Sequence, residues 1–181
     1  LIPMVYPDYQ PVGDPEVRAK FEAAWGRELS PDPGLTVVEI TRAALEGQVR
    51  GMYIMGENPF LSDPNTNKVR KALSNLEFLV VQDIFLTETA NYADVILPAS
   101  AFAEKAGTVT NTTRQVQMGR PAVPPPGEAK EDWWIETELA KRLGLDWNYT
   151  SPKEVFAEMK LNMGSLNNIT WDRLESENAV T

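Results

Sequence analysis

Met52-Tyr53-Ile54-Met55-Gly56-Glu57-Asn58-Pro59, Phe78-Leu79-Val80-Val81-Gln82-Asp83 and Val95-Ile96-Leu97-Pro98-Ala99-Ser100 decide the fold. Each stretch begins as a short continuous apolar run and ends in polar or turn-forming residues. Runs without alternation are how strands buried on both faces read, and such strands belong to parallel sheets covered by helices. Between the first two runs, Val69, Ala72, Leu73 and Leu76 form one helical stripe, which returns the chain for a second parallel strand. The expected fold class is α/β, a Rossmann-like three-layer αβα arrangement on a mainly parallel sheet. Open sheets of this kind bind ligands beyond the carboxyl ends of their strands, so the candidate site lies there.

Working outward, Leu1 to Gly13 carries three prolines and reads as an extended arm. Asp14-Pro15 starts a helix through Val17, Phe21 and Trp25 that Gly26 stops, and Ser30 to Gly34 is a turn cluster. Thr36 and Glu39 form a capping-box pattern ahead of a helix that Gly47 ends. Glu88 to Tyr92 reads as a short helical crossover capped by Thr87, and Arg120 to Gly127 is too proline-rich for regular structure. Asp132 begins a helix that Gly144 stops. Ser151-Pro152-Lys153-Glu154 is a second capping box, ahead of a core-facing row of Val155, Phe156 and Met159. A short helix is expected at Trp171 to Leu174, with no closing element before Thr181. The expectation is one domain over 1–181, made of 1–47 (arm and helices), 48–119 (core) and 120–181 (connection and helices), excised from a longer chain.

Composition narrows the chemistry. With 181 residues, 43% of them hydrophobic, the chain can bury a core. Seventeen basic against 26 acidic residues give a net charge of −9, which disfavours nucleic acid. No apolar run approaches the roughly 20 residues of a membrane span, and the opening residues do not read as a signal peptide; membrane insertion is not expected, and a cytoplasmic protein is. Zero cysteine and zero histidine remove the usual nucleophile, general base and metal ligands. No catalytic or metal-ligating residue is therefore assigned, and any redox chemistry has to come from a cofactor.

The polar strand ends admit two readings each. Gly56-Glu57-Asn58-Pro59 offers a close backbone approach and side-chain hydrogen bonds to a ligand, or it is an ordinary turn. Asp83 can accept two hydrogen bonds from a guanine edge or from ribose hydroxyls, or serve as an N-cap or salt-bridge partner. Thr87 contacts the same nucleotide or caps the crossover. Glu104, Gly107, Thr108, Thr110, Asn111, Thr112, Thr113 and Arg114 suit phosphates or a polar heterocycle, or form a solvated loop. Trp133-Trp134 reads better as packing than as a stacking platform. A G-x-G-x-x-G fingerprint is absent.

Taken in order, Tyr53-Ile54-Met55-Gly56-Glu57-Asn58-Pro59, Val81-Gln82-Asp83-Ile84-Phe85-Leu86-Thr87-Glu88-Thr89-Ala90, Ala93 to Pro98 and Glu104-Lys105-Ala106-Gly107-Thr108-Val109-Thr110-Asn111 resemble the molybdopterin oxidoreductase family. Within it they are most similar to alpha subunits of molybdenum- or tungsten-dependent formate dehydrogenases, a likeness that extends through Pro125 to Ala129 and Asp132-Trp133-Trp134 to Ser151-Pro152. The resemblance implies a domain that holds the guanosine arm of one molybdopterin guanine dinucleotide carrying Mo or W. It implies that Gly56, Glu57, Asn58 and Pro59 line the phosphate and ribose end, that Asp83 reads guanine or ribose, and that Thr87 supports it. Gly107, Thr110, Asn111 and Arg114 would lie nearer the pterin, although Gln115 follows Arg114 where many relatives carry a second basic residue. The family's 4Fe-4S cysteines, its metal-binding cysteine or selenocysteine and its catalytic histidine have no counterpart here and would lie outside this chain. The implied partners are the remaining domains of the alpha subunit and electron-accepting iron–sulfur or NAD(P)-linked subunits. The parent enzyme would oxidise formate to CO2, and the 181 residues alone would be inactive. Two relatives stay open: a nitrate reductase-like molybdopterin enzyme, and the non-catalytic related domain of the NADH dehydrogenase large subunit. A free-standing nucleotide-binding module is a further alternative.

Overall fold

The structure, a computed structural model, describes residues 2–181. In chain order its elements are β1 (Val5–Tyr6), β2 (Gln10–Pro11), α1 (Pro15–Trp25), α2 (Val37–Leu45), β3 (Gly51–Met55), α3 (Pro59–Ser62), α4 (Thr66–Ser74), β4 (Phe78–Asp83), β5 (Val95–Pro98), β6 (Gly107–Thr110), β7 (Val116–Gly119), α5 (Asp132–Arg142), α6 (Pro152–Asn162), α7 (Trp171–Glu177) and β8 (Ala179–Val180). They divide between two compact units, one of residues 1–36, 106–120 and 149–181, the other of 37–105 and 121–148.

The second unit carries the parallel sheet, in the order β3-β4-β5. Ile54 pairs with Val81 and Met55 with Gln82, while Asp83 pairs with Pro98, so the three carboxyl ends align. Ile54, Leu79 and Val81 face Val69 and Leu73 of α4, the helical stripe the spacing predicts. Leu76 packs on the same cluster although it lies just past the helix. On the opposite face of β4, Gln82 meets Asp132 in the first turn of α5. The expected mixed α/β fold with a parallel sheet is thus observed. Asp94 fixes the entry to β5 by accepting from the Leu79 amide at 2.7 Å. The proline-rich connection returns beside the end of β5, where Ala99 bridges Lys130. Turn chemistry had hidden α3, a single turn that opens at Pro59 directly after the candidate tetrapeptide.

The other unit closes on the antiparallel sheet β6-β7-β8. Its core joins Val116, Phe156, Leu166, Ile169, Leu174 and Val180. At Gly119 a side chain would bring a Cβ to 3.2 Å from the Gly107 carbonyl oxygen, which explains glycine at this crossing. Asp14 caps α1 by accepting from the amides of Glu16 and Val17, and Gly26 ends it at φ 63°, both as expected.

Three expectations need correction. The arm, whose Leu1 lies outside the described residues, is not simply extended: β1 and β2 form a hairpin through left-handed Asp8 and Tyr9, at φ 66° and 58°. Tyr6 stacks on Phe21 at 4.7 Å, an apolar anchor that a count of prolines overlooks. The box at α6 is shifted by one residue: Glu154 accepts from the Thr150 amide at 2.7 Å and its hydroxyl at 2.9 Å, and the Ser151 side chain makes no cap bond. Those two donors hold the Glu154 carboxyl below its ordinary range. Of the expected apolar row on α6, only Phe156 is buried. Finally, the chain does have a closing element, because α7 runs to Glu177, Asn178 turns left-handed, and β8 pairs with β7. Two residues are too short to be recognised as a strand from pattern alone.

Candidate functional site

The carboxyl ends of β3, β4 and β5 enclose a cleft of about 370 Å³. Gly56, Asn58, Asp83 and Thr87 line it, four of the ten residues expected at the site. Gly56 turns the chain out of β3 at φ 63°, a conformation that glycine alone adopts freely, while its amide donates to the Gln82 carbonyl at 2.9 Å. Asn58 fastens this turn to the crossover after β4. Its Oδ1 accepts from the amide and hydroxyl of Thr89, and its Nδ2 donates to Glu88 at 2.8 Å. That bond holds the Glu88 carboxyl low. Thr87 Oγ1 accepts from the Ala90 amide at 3.3 Å, so the capping reading of Thr87 is realised. Asp83 Oδ1 accepts from the Phe85 amide at 3.0 Å, an Asx turn, and Oδ2 has no partner among the described residues.

Glu57 is exposed, and Pro59 opens α3. Gly107, Thr110, Asn111 and Arg114 belong to the other unit, on and between β6 and β7. There Asn111 Oδ1 accepts from the Thr113 amide, the Thr113 hydroxyl and the Gln115 amide, which builds the hairpin turn. The turn holds Arg114 left-handed at φ 65° with its side chain exposed.

The cleft wall contains a polar chain that the sequence reading did not assign. Gln82 is fully buried, accepts from the Tyr53 hydroxyl, and donates to Asp132 Oδ1 at 2.7 Å. Asp132 Oδ2 pairs with Lys105, whose ammonium also donates to the Ser100 carbonyl at 3.0 Å. Ser100 is fully buried and its hydroxyl has no partner. Gln82 could have been suspected as the one amide in an apolar strand. Asp132 could not, since nothing local places it 50 residues upstream in space. Trp133 and Trp134 behave as packing: the Trp133 indole N–H donates to Glu131, and the Lys130 ammonium lies 5.8 Å above the Trp134 ring.

Burial, and then the neighbouring Asp132 charge, pushes the Glu136 carboxyl above its ordinary range; burial chiefly does the same to the Tyr53 phenol. For an acid whose folded pKa exceeds its unfolded one, ionisation is the unfavourable step. Stability is therefore lost as pH rises from the ordinary carboxylate range through the raised value. Glu136→Gln should melt higher than the parent at neutral pH and match it below about pH 4. Thermal unfolding at both pH values checks this, and a parent that melts higher at neutral pH would contradict it.

A parallel α/β unit with a polar cleft beyond its strand ends defines the class of domain. The sequence profile of the molybdopterin oxidoreductase family matches residues 15–142, and the chain belongs to that family. It is 50% identical over 158 residues to a putative formate dehydrogenase of Bacillus subtilis, covering 87% of this chain and 16% of that protein. It is 48% identical over 176 residues to the F420-dependent formate dehydrogenase subunit alpha of Methanocaldococcus jannaschii, covering 96% of this chain and 26% of that one. The chain thus spans from about a sixth to a quarter of the length of these curated relatives. Acetylene hydratase from Pelobacter acetylenicus shares the fold, with a TM-score of 0.67 at 21% identity over 98% of this chain and 25% of the hydratase. Among the described residues no helix is long and apolar enough to cross a membrane.

Proposed function

We propose that this chain is part of the alpha subunit of a molybdenum- or tungsten-dependent formate dehydrogenase, and that its parallel-sheet cleft holds the guanosine arm of one molybdopterin guanine dinucleotide. The observation that carries the reading is a pair of uncommitted groups in one cleft: Asp83 Oδ2, an acceptor, and the buried Ser100 hydroxyl. Among the described residues Lys105 is the one cation lining the cleft, against two carboxylates, which suits a nucleoside better than a bare diphosphate. The chain's donors and acceptors fit such a ligand.

In this reading Gly56 admits the ligand close to the backbone, and Glu57, Asn58 and Pro59 border the phosphate and ribose end. Asp83 accepts from guanine or ribose, and Thr87 shapes the adjoining turn. Gly107, Thr110, Asn111 and Arg114 serve the pterin end, where Asn111 builds the turn and Arg114 presents the charge. When bound, the cofactor supplies the redox chemistry, by which formate yields CO2, a proton and two electrons. The chain's own part is binding, orientation and electrostatics. A 4Fe-4S cluster, the remaining domains of the subunit, the iron–sulfur or NAD(P)-linked electron acceptors and a cytoplasmic location belong to the same proposal. Residues 1–181 alone would be inactive and would hold the cofactor weakly, since much of an extended dinucleotide would lie beyond them.

The test is formate-dependent dye reduction by the full-length gene product, with assay of its metal and of guanine nucleotide released by acid. Reduction with bound metal and guanine supports the proposal. Bound cofactor with nitrate but no formate activity would move the assignment to a nitrate reductase-like enzyme. Absence of both metal and guanine would refute it.

A further inference from the structure

We infer that Thr89, which does not itself line the cleft, is a positioning residue for it: its buried hydroxyl holds Asn58, and through Asn58 it fixes the two loops that rim the site. This rests on the proposed function, and it adds the element that sets how firmly the ligand is kept.

The loops after β3 and β4 leave neighbouring parallel strands, and both reach the cleft, the first through Gly56 and Asn58, the second through Asp83, Phe85 and Thr87. Parallel neighbours share no tight turn, so loops at their carboxyl ends keep a fixed spacing only where side chains tie them together. Thr89 makes that tie. It is fully buried at the start of the crossover after β4. Its hydroxyl donates to Asn58 Oδ1 at 2.7 Å and accepts from the Phe60 amide at 3.2 Å, while its amide donates to the same Asn58 oxygen at 3.3 Å. Glu88 takes one hydrogen of the Asn58 amide at 2.8 Å. Both lone pairs of Asn58 Oδ1 and one of its two N–H donors are therefore committed to the crossover. A side chain so engaged serves a ligand by where it holds the backbone, and a pre-set rim retains a ligand better than one that must be ordered on binding. The apolar side of the same joint does not depend on the hydroxyl. Phe60 stacks on Tyr92 at 5.8 Å and packs on the core between β4 and α4, which keeps α3 against the crossover. Loss of the hydroxyl should therefore loosen the rim and leave the unit folded.

Three substitutions in the full-length gene product separate hydroxyl, shape and ligand contact. Thr89→Val keeps the branched shape and removes the hydroxyl, Thr89→Ser keeps the hydroxyl and removes a methyl group, and Asn58→Ala removes the group that Thr89 holds. The measurement is the rate at which metal and guanine nucleotide leave each enzyme during dialysis, with hydrogen exchange of the Phe60 amide read beside it. Thr89→Val should release cofactor about fivefold to fiftyfold faster and speed the Phe60 exchange at least about tenfold, since that amide loses its acceptor. Thr89→Ser should stay within about twofold of the parent in both, because the hydroxyl carries the role. Asn58→Ala should release cofactor about as fast as Thr89→Val, and the double variant no faster than the quicker single one, because the two residues act as one unit. Should Thr89→Val yield no folded enzyme, Thr89→Ala takes its place, since the smaller side chain leaves room for a water at the Phe60 amide. Release that Thr89→Val leaves unchanged, whatever it does to the exchange, would overturn the inference and leave the proposed function standing. Release from Thr89→Ser as fast as from Thr89→Val would overturn it too, since packing would then explain the effect. So would single effects that multiply in the double variant, because Asn58 would then act on the ligand without Thr89. A parent enzyme that carries neither metal nor guanine nucleotide would overturn both.

Discussion

Leu79→Ala should lower the stability of the parallel-sheet unit by about 2–5 kcal/mol, a large share of the roughly 5–15 kcal/mol that holds an ordinary domain together. Leu79 is 1% exposed and packs with Ile54, Val69, Leu73 and Val81, where β4 meets α4. Removing three carbons there leaves a cavity that a strand bonded on both sides cannot collapse into. The same strand ends in Gln82 and Asp83, so the loss would reach the cleft. Native-state hydrogen exchange of the β4 amides reads the effect directly. Leu161→Ala, at a position 81% exposed, is the control and should change stability by less than about 0.5 kcal/mol. A loss below about 1 kcal/mol for Leu79→Ala would contradict the packing described.

Asp83 gives the second large effect. In the full-length gene product Asp83→Ala should weaken cofactor retention about tenfold to a hundredfold, the usual worth of a hydrogen bond to a charged group. Asp83→Asn separates two roles of this side chain. The amide oxygen can still accept from the Phe85 amide and keep the Asx turn, while the group that replaces Oδ2 becomes a donor. The Asn variant should therefore melt close to the parent yet be as poor as the Ala variant in metal and pterin content. Normal content in both variants would remove Asp83 from the site.

The parallel sheet was legible in the sequence as unbroken apolar runs, and α4 because its stripe has helical period; the burial on both faces that such runs suggest is not observed in β3 and β5, where Tyr53, Met55, Val95 and Ile96 are exposed. Residues whose role is local were legible as well: Asp14, Gly26 and Gly56 each answer to a cap or a left-handed turn. The polar wall of the cleft was not. Gln82, Ser100, Lys105 and Asp132 come from three separate stretches, and their bonds exist only once the sheet, the loop after β5 and the first turn of α5 have assembled. Short pairings were equally hidden, since β1, β2 and β8 are too brief to show a period. The expected site residues are divided between two units, which a linear reading of motifs could not foresee.

The most direct test of the guanosine site is a map of backbone amide shifts on adding GDP to the chain. The predicted result is a cluster of shifts at Gly56, Asp83, Ile84, Phe85, Thr87, Ala99 and Ser100, residues that share the cleft. Shifts confined to the β6–β7 hairpin, or none at saturating nucleotide, would contradict it.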